Sequence, residues 1–464
     1  MTSRTPVVVL GAGLAGLLAA AALARTADIG DVVLVERDRL TPGPHPRRGL
    51  PQGRHAHVLM SSGARAIEAL LPGTMQRWRA AGAHRIGLPD GYVMLLPQGW
   101  LPRGATGHFV VSCSRALLDW VVREQVLALP GVRLADETEA VALCGDSGRV
   151  DGVDVRDLRD GSTRRLAAGL VVDATGRGSR APHWLAALGL PGVDEDVVDS
   201  GLRYATRVFR APPGARTAFP IVNIQADPEQ DRPGQTAALM PIEDGQWLVT
   251  LSGTRGGQPP ADEREFAAFA RAMRHPIVGD LIAGAEAVGP VVVTNSTANR
   301  RRHFERLGRW PDGFVVLGDA VASYNPVYGH GMTVAAHGAV ALAAALATGP
   351  VLRPGAAREI QRRLTPTAAD AWSHATGTDI RFPGARGPAP SRVERALWRY
   401  QSRLMRTALG RPAVARELVE VFTLSAPASR LIRPGIALAT LRGPGRAPLQ
   451  EPPFTPAERA AVSE

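Results

Sequence analysis

The stretch PVVVLGAGLAGLLAAAALART, Pro6 to Thr26, decides how this chain is read. Its β-branched start predicts a strand from Val7 to Leu10, its glycines a turn at Gly11-Ala12-Gly13, and its Ala/Leu run a helix from about Leu14 to Arg25. Gly11 permits the turn, Gly13 lets the backbone approach a pyrophosphate, and Gly16 lets helix pack closely on strand. A second strand, VVLVE, puts Glu36 twenty positions after Gly16, where an acid hydrogen-bonds an adenosine ribose. Together they predict a dinucleotide site. The same segment imitates a cleaved signal peptide, with Arg4, an apolar run and the small triplet Ala22-Leu23-Ala24. The strand, turn and helix account for it better.

Two later strands end in acids. LVVDATGRGSR, Leu170 to Arg180, carries Asp173 at its strand end, and VVLGDA, Val315 to Ala320, carries Asp319. Ligands of a doubly wound sheet lie at the carboxyl ends of its strands, so both acids converge on one extended cofactor. Around Asp319 lies GDAVASYNPVYGHGM, Gly318 to Met332, a junction of strand and Ala-rich helix that contains a Pro and two closely spaced glycines. Such glycines let backbone N–H groups approach a large electron-rich group at a helix start, where partial positive charge collects.

A chain of 464 residues with 45% hydrophobic composition predicts a soluble α/β protein of two or three domains. The net charge of +11 comes from 54 basic residues that are all Arg. Their spread, without aromatic interleaving, argues against nucleic-acid binding. The absence of lysine excludes a Walker lysine, a pyridoxal Schiff base and a lysine general base. Cys113 and Cys144 have neither metal nor disulfide spacing and suit a reducing cytoplasm. No segment reads as a membrane span and no metal site is expected. His55 and His57 share one face of an extended segment but have no third ligand, which favours structural or cofactor-lining roles. Arg300-Arg301-Arg302 reads as a solvated or carboxylate-paired cluster.

With GxGxxG at the start, D-A-T-G-R-x-S in the middle and G-D-A before N-P-x-x-G-x-G, the chain resembles the flavoprotein monooxygenases of the para-hydroxybenzoate hydroxylase fold. The resemblance implies FAD. It implies that Asp319 bonds the ribityl chain, that Arg115 in CSRALLDW reaches the flavin side, and that Asp173 organises the pyrophosphate region. It lays the loop Pro326 to Met332, with Gly329, His330 and Gly331, along the isoalloxazine ring, where its N–H groups stabilise charge on reduced flavin. It adds Arg37, Arg48, Val141 and Met332 to Gly11, Gly13, Gly16 and Glu36 as cofactor-binding positions.

RRGLPQGRHAHVL, GARAIEALLPGT, VVDSGLRYATRVFRAP and MPIEDGQWLVTLSGTRGG narrow the likeness to the flavin epoxidases of monensin- and lasalocid-type polyether biosynthesis. RRG at Arg47-Arg48-Gly49 departs from the Arg-Lys-Gly expected there. This resemblance implies oxygen transfer from a flavin C4a-hydroperoxide to alkenes of a large apolar polyene, with molecular oxygen as co-substrate and no dedicated substrate base. Without a second GxGxxG, electrons come from NAD(P)H bound transiently or from a separate flavin reductase. An aromatic polyketide hydroxylase and an isoprenoid double-bond reductase of the same fold remain open. The expected architecture is a doubly wound FAD-binding domain in three parts (1–80, 113–198, 311–348), with an antiparallel substrate sheet (81–112, 199–310) and a helical C-terminal region (349–464).

Overall fold

The computed structural model describes residues 5–295, 297–350 and 352–462. The opening segment forms the strand Thr5–Leu10 and the helix Leu14–Leu23, which stops two residues before Arg25. That strand is central in a parallel five-stranded sheet ordered Phe314–Val316, Leu170–Asp173, Thr5–Leu10, Ile29–Val35, Val132–Ala135. Its register pairs Leu10 with both Asp173 and Val35, and Asp173 with Val316. Gly11, Glu36, Ala174 and Leu317 therefore leave the sheet along one edge. These strands are Val- and Leu-rich on both faces because helices cover both, as parallel sheets require. The helices Leu14–Leu23 and Gly331–Leu346 pack together through small residues, including Ala19, Ala20, Ala336 and Ala339, all buried.

A second sheet of seven strands runs Ala287–Thr294, Arg203–Arg210, Gln246–Gly253, Gln235–Ile242, Ile221–Ile224, Tyr92–Leu96, Gly99–Trp100. It is antiparallel except where Ile221–Ile224 meets Tyr92–Leu96. One face packs on the helix Glu263–Arg271, whose apolar side buries Phe266 and Ala270. The other contributes to a cluster rich in methionine that it shares with the first domain and the C-terminal helices: Met60, Met94, Met240 and Met405.

The C-terminal part contains the helices Ala356–Leu364, Ala369–Asp379, Arg392–Ala408, Pro412–Phe422 and Pro434–Arg442. Helical periodicity in the sequence predicts helices over Glu359 to Leu364, Arg392 to Leu409 and Val414 to Phe422, which fall on the first, third and fourth. It misses Ala369–Asp379, whose apolar and polar residues do not segregate to opposite faces. Ser391 and Glu394 close a capping box at the start of the third. The architecture is the doubly wound domain, inserted sheet and helical C-terminal region that the sequence predicts. Among the described residues no helix is long and apolar enough to cross a membrane.

Candidate active site

A cavity of about 510 Å³ runs along the carboxyl edge of the parallel sheet and on to the loop before the helix Gly331–Leu346. At one end the glycines divide the work. Gly11 has φ +91° and a Cβ there would lie 2.7 Å from the Ala174 carbonyl oxygen; at Gly16 it would lie 1.8 Å from the Gly11 oxygen. Gly13 is different: a Cβ would meet nothing within 4 Å, since it opens onto the cavity at the helix start. Glu36 lies beside it, accepting hydrogen bonds from the N–H groups of Ala12 (2.8 Å) and Asp38 (3.0 Å).

Arg47 closes this end, with one guanidinium nitrogen 2.5 Å from the Glu36 carboxylate and another donating to the Ala12 oxygen at 2.7 Å. The sequence singles out Arg48 instead, and here the structure corrects it. Gly49 N–H is anchored on Asp38 at 2.7 Å, which turns Arg47 inward and leaves Arg48 exposed. Val141 is likewise displaced: its carbonyl accepts from the Trp184 indole, while Thr138, Glu139, Ala140 and Trp184 line the wall. Arg37 lines the cavity. Asp173 does not. Wholly buried, it accepts from Thr175 N–H (2.9 Å), Thr175 Oγ1 (2.6 Å) and Ser179 Oγ (2.6 Å), and so shapes the turn whose residues 174–178 form the wall.

At the other end Asp319, Arg115, Pro326, Gly329, Gly331 and Met332 all line the cavity. Burial pushes the Asp319 carboxyl above its ordinary range, against the pull of Arg177 and Arg115. Among the described residues no hydrogen bond reaches it. Gly329 has φ +69°, and a Cβ there would strike Val58 at 2.7 Å. Gly331 opens the helix without a positive φ, and a Cβ would approach only Asp319 Oδ1 at 3.9 Å. Backbone strain therefore belongs to Gly329, and Gly331 is a matter of space inside the cavity. His330 turns its side chain away: its Nε2–H donates to the Phe422 oxygen at 3.0 Å, and its ring packs edge-on against His374 and Phe422. Burial pushes it down to about 3, so it is neutral. A side-chain contact of His330 with a ligand in the cavity is excluded by this orientation.

The loop is held by a residue the sequence does not reveal. Asp379, at the end of the helix Ala369–Asp379 and only 1% exposed, accepts from Asn325 Nδ2 (2.9 Å), Asn299 Nδ2 (2.7 Å) and the Tyr328 hydroxyl (2.6 Å). Asn299 Oδ1 in turn accepts from Asn325 N–H at 2.8 Å, and Tyr204, on the inserted sheet, donates to Asn325 Oδ1 at 3.0 Å. Burial raises the Asp379 carboxyl, and these donors oppose the rise. The loop is thus bound to both other parts of the molecule. Tyr324 also lines the cavity and donates to the Ala368 oxygen.

His57 lines the cavity, its Nδ1 2.7 Å from the His55 oxygen, and burial pushes it down to about 3. His55 is structural, with Nδ1 2.7 Å from Thr206 Oγ1 on the sheet. Arg300 and Arg302 pair with Glu195, and Arg301 with Glu305, away from the cavity.

These features fit an extended dinucleotide. Gly13 leaves room for its backbone approach, the Asp319 carboxylate is free to accept, and Arg37 and Arg180 line the cavity with no side-chain partner among the described residues. Comparison with known proteins agrees. Residues 6–183 match the family model of FAD dependent oxidoreductases. Over 431 residues the chain is 33% identical to protein Rv3254 of Mycobacterium tuberculosis, covering 89% of this chain and 88% of that one. It is 27% identical to a kynurenine 3-monooxygenase of Salinispora tropica, over 75% and 74% of the two chains. The structure of the flavin-dependent brominase Bmp2 matches with TM-score 0.65 at 14% identity, over 95% and 98% of the chains. OxyS anhydrotetracycline hydroxylase from Streptomyces rimosus matches with TM-score 0.56 at 17% identity, over 91% and 76%. At such identities the two structures speak for the fold alone. The chain is an enzyme of the FAD-dependent oxidoreductase family.

Proposed function

We propose that this enzyme is a monooxygenase that epoxidises an alkene of a large apolar polyene, as in polyether assembly. The observation that carries this reading is what meets the loop at Gly329: Val58 and Met60, part of a cluster that holds four of the chain's eight methionines. Ala56 and Val58 of this cluster line the cavity with the methionines packed behind them, and an apolar wall on an adaptable methionine backing suits a long hydrocarbon better than a small polar substrate. Among the described residues the one histidine lining the cavity is His57. A phenol-activating base needs a pKa near 7, and His57 is held at about 3.

FAD, when bound and supplied with two electrons, would contribute the activation of dioxygen, with one oxygen atom for the alkene and the other released as water. The chain's own residues bind and orient. Gly11, Gly13 and Glu36 would receive the adenosine and pyrophosphate end with Arg37 and Arg47, and Asp319 would accept a hydrogen bond from the ribityl chain. Arg115, Pro326, Gly329, Gly331 and Met332 line the ring end, where N–H groups at the helix start favour negative charge. The apolar cluster keeps water from the reacting alkene. NAD(P)H or a separate flavin reductase delivers the electrons. The likeness to kynurenine 3-monooxygenases favours a second reading, hydroxylation of an aromatic compound.

A panel of linear polyenes and aromatic polyketides, incubated with enzyme, reductant and oxygen-18, separates the two readings by product mass. Epoxide carrying one oxygen-18 is expected. Hydroxylated aromatic product alone would replace the epoxidase reading, and turnover without oxygen would point to a double-bond reductase.

A further inference from the structure

The helical unit from Arg392 to Arg446 is charged unlike the rest of the chain. It holds eleven arginines and three glutamates, a net +8 of the whole chain's +11. Nine of those arginines are exposed, and among the described residues none of the nine is salt-bridged. The same unit exposes large aliphatic side chains: Val393 68%, Leu397 53%, Ile432 61%, Leu438 49% and Leu441 64%. The first two turns of the helix Arg392–Ala408 stand clear of the body, with Val393 and Leu397 one helical turn apart on one side. Leu438 and Leu441 repeat the device at i, i+3 on Pro434–Arg442. The two helices form one unit, since the Tyr400 hydroxyl donates to the Leu431 oxygen (2.6 Å) and Arg403 Nε to the Thr440 oxygen (2.9 Å).

We propose that this face docks on an anionic lipid surface, with the aliphatic side chains entering the headgroup boundary and the arginines meeting lipid phosphates. Charge complementarity selects the occupant. A second copy of the chain would set +8 against +8. A protein partner's hot core usually meets aromatic side chains, and here the exposed apolar residues are aliphatic only. Aliphatic residues beside snorkelling arginines suit a bilayer interface, where each basic residue near the surface adds to binding and is screened by salt. The helix Pro412–Phe422, part of the same unit, accepts a hydrogen bond from His330 through the Phe422 oxygen, which ties the unit to the loop before the helix Gly331–Leu346. The surface is independent of the oxygen-transfer reading.

The test is flotation of the full-length, FAD-loaded protein with vesicles of phosphatidylcholine alone or with 30% (about one lipid in three) phosphatidylglycerol. Binding to the anionic vesicles at least tenfold above the neutral ones, reversed by salt, is expected. Arg392→Gln/Arg399→Gln/Arg442→Gln is expected to weaken it about hundredfold, and Leu438→Ser/Leu441→Ser to abolish it at unchanged flavin content. No flotation, equal flotation with both vesicles, or flotation that survives both variants would overturn the proposal. So would self-association through Leu438 and Leu441 without vesicle binding.

Discussion

The two ends of the cavity are built in opposite ways. The end at Gly11, Gly13 and Glu36 is assembled mainly from one short run of chain, against which the turn at Ala174 packs. The end at Asn325 to Met332 is assembled from distant parts, with Asn299, Asp379 and Tyr204 meeting around Asn325. A mainly local construction depends little on the inserted sheet and the C-terminal helices. A distributed one ties the loop to the inserted sheet and the C-terminal helices, so a change in either is felt where chemistry takes place.

Substitutions can break this contrast, and Gly16→Ala should do most damage. Its methyl group would sit 1.8 Å from a backbone oxygen, so the first domain should fail to fold, read as loss of the cooperative thermal transition. Asp379→Ala comes next. It strands three buried donors, at a cost of about 3 kcal/mol or more in denaturant unfolding; Asp379→Asn should keep more stability yet divert reduced flavin to hydrogen peroxide. Unchanged coupling in both variants would show that the loop does not depend on Asp379.

Asp319→Ala should leave folding intact and weaken FAD binding by about 1.5–3 kcal/mol, roughly ten- to hundredfold. Fluorescence titration measures it, and an unchanged dissociation constant would mean that Asp319 does not reach the cofactor. A further effect, small near neutral pH, is electrostatic. His330 is held at about 3 when folded and sits near 6.5 when unfolded, so below pH 6.5 the unfolded chain gains a proton that the folded chain refuses. Stability is lost as pH falls from 6.5 towards 3. His330→Gln should flatten that loss by about 1.4 kcal/mol per pH unit near pH 5.

The same contrast explains what was legible in the sequence. Gly11, Gly13, Gly16 and Glu36 could be read because their roles follow from spacing along one strand, turn and helix. Asp319, Gly329 and Gly331 could be read as a strand end followed by a helix start. Asp379 could not: it is one acid among many in a helix without a clear apolar stripe, and its partners lie 51 to 80 positions away. Arg47 and Arg48 are indistinguishable in sequence, and only the anchoring of Gly49 on Asp38 decides which turns inward. The direction of the His330 ring was set by Phe422, 92 positions on.

The central claim is that one cofactor spans both ends, anchored at the first and positioned at the second. Parallel FAD titrations of Gly13→Val and Gly331→Val test it most directly, because neither added side chain meets close protein atoms at Cβ, where the nearest contact is 3.9 Å. The account predicts that Gly13→Val loses affinity about hundredfold or more, as the pyrophosphate is displaced, at an unchanged melting temperature. Gly331→Val should stay within about tenfold of the parent while releasing hydrogen peroxide on reduction. Equal losses in the two variants, or a greater loss for Gly331→Val, would contradict it.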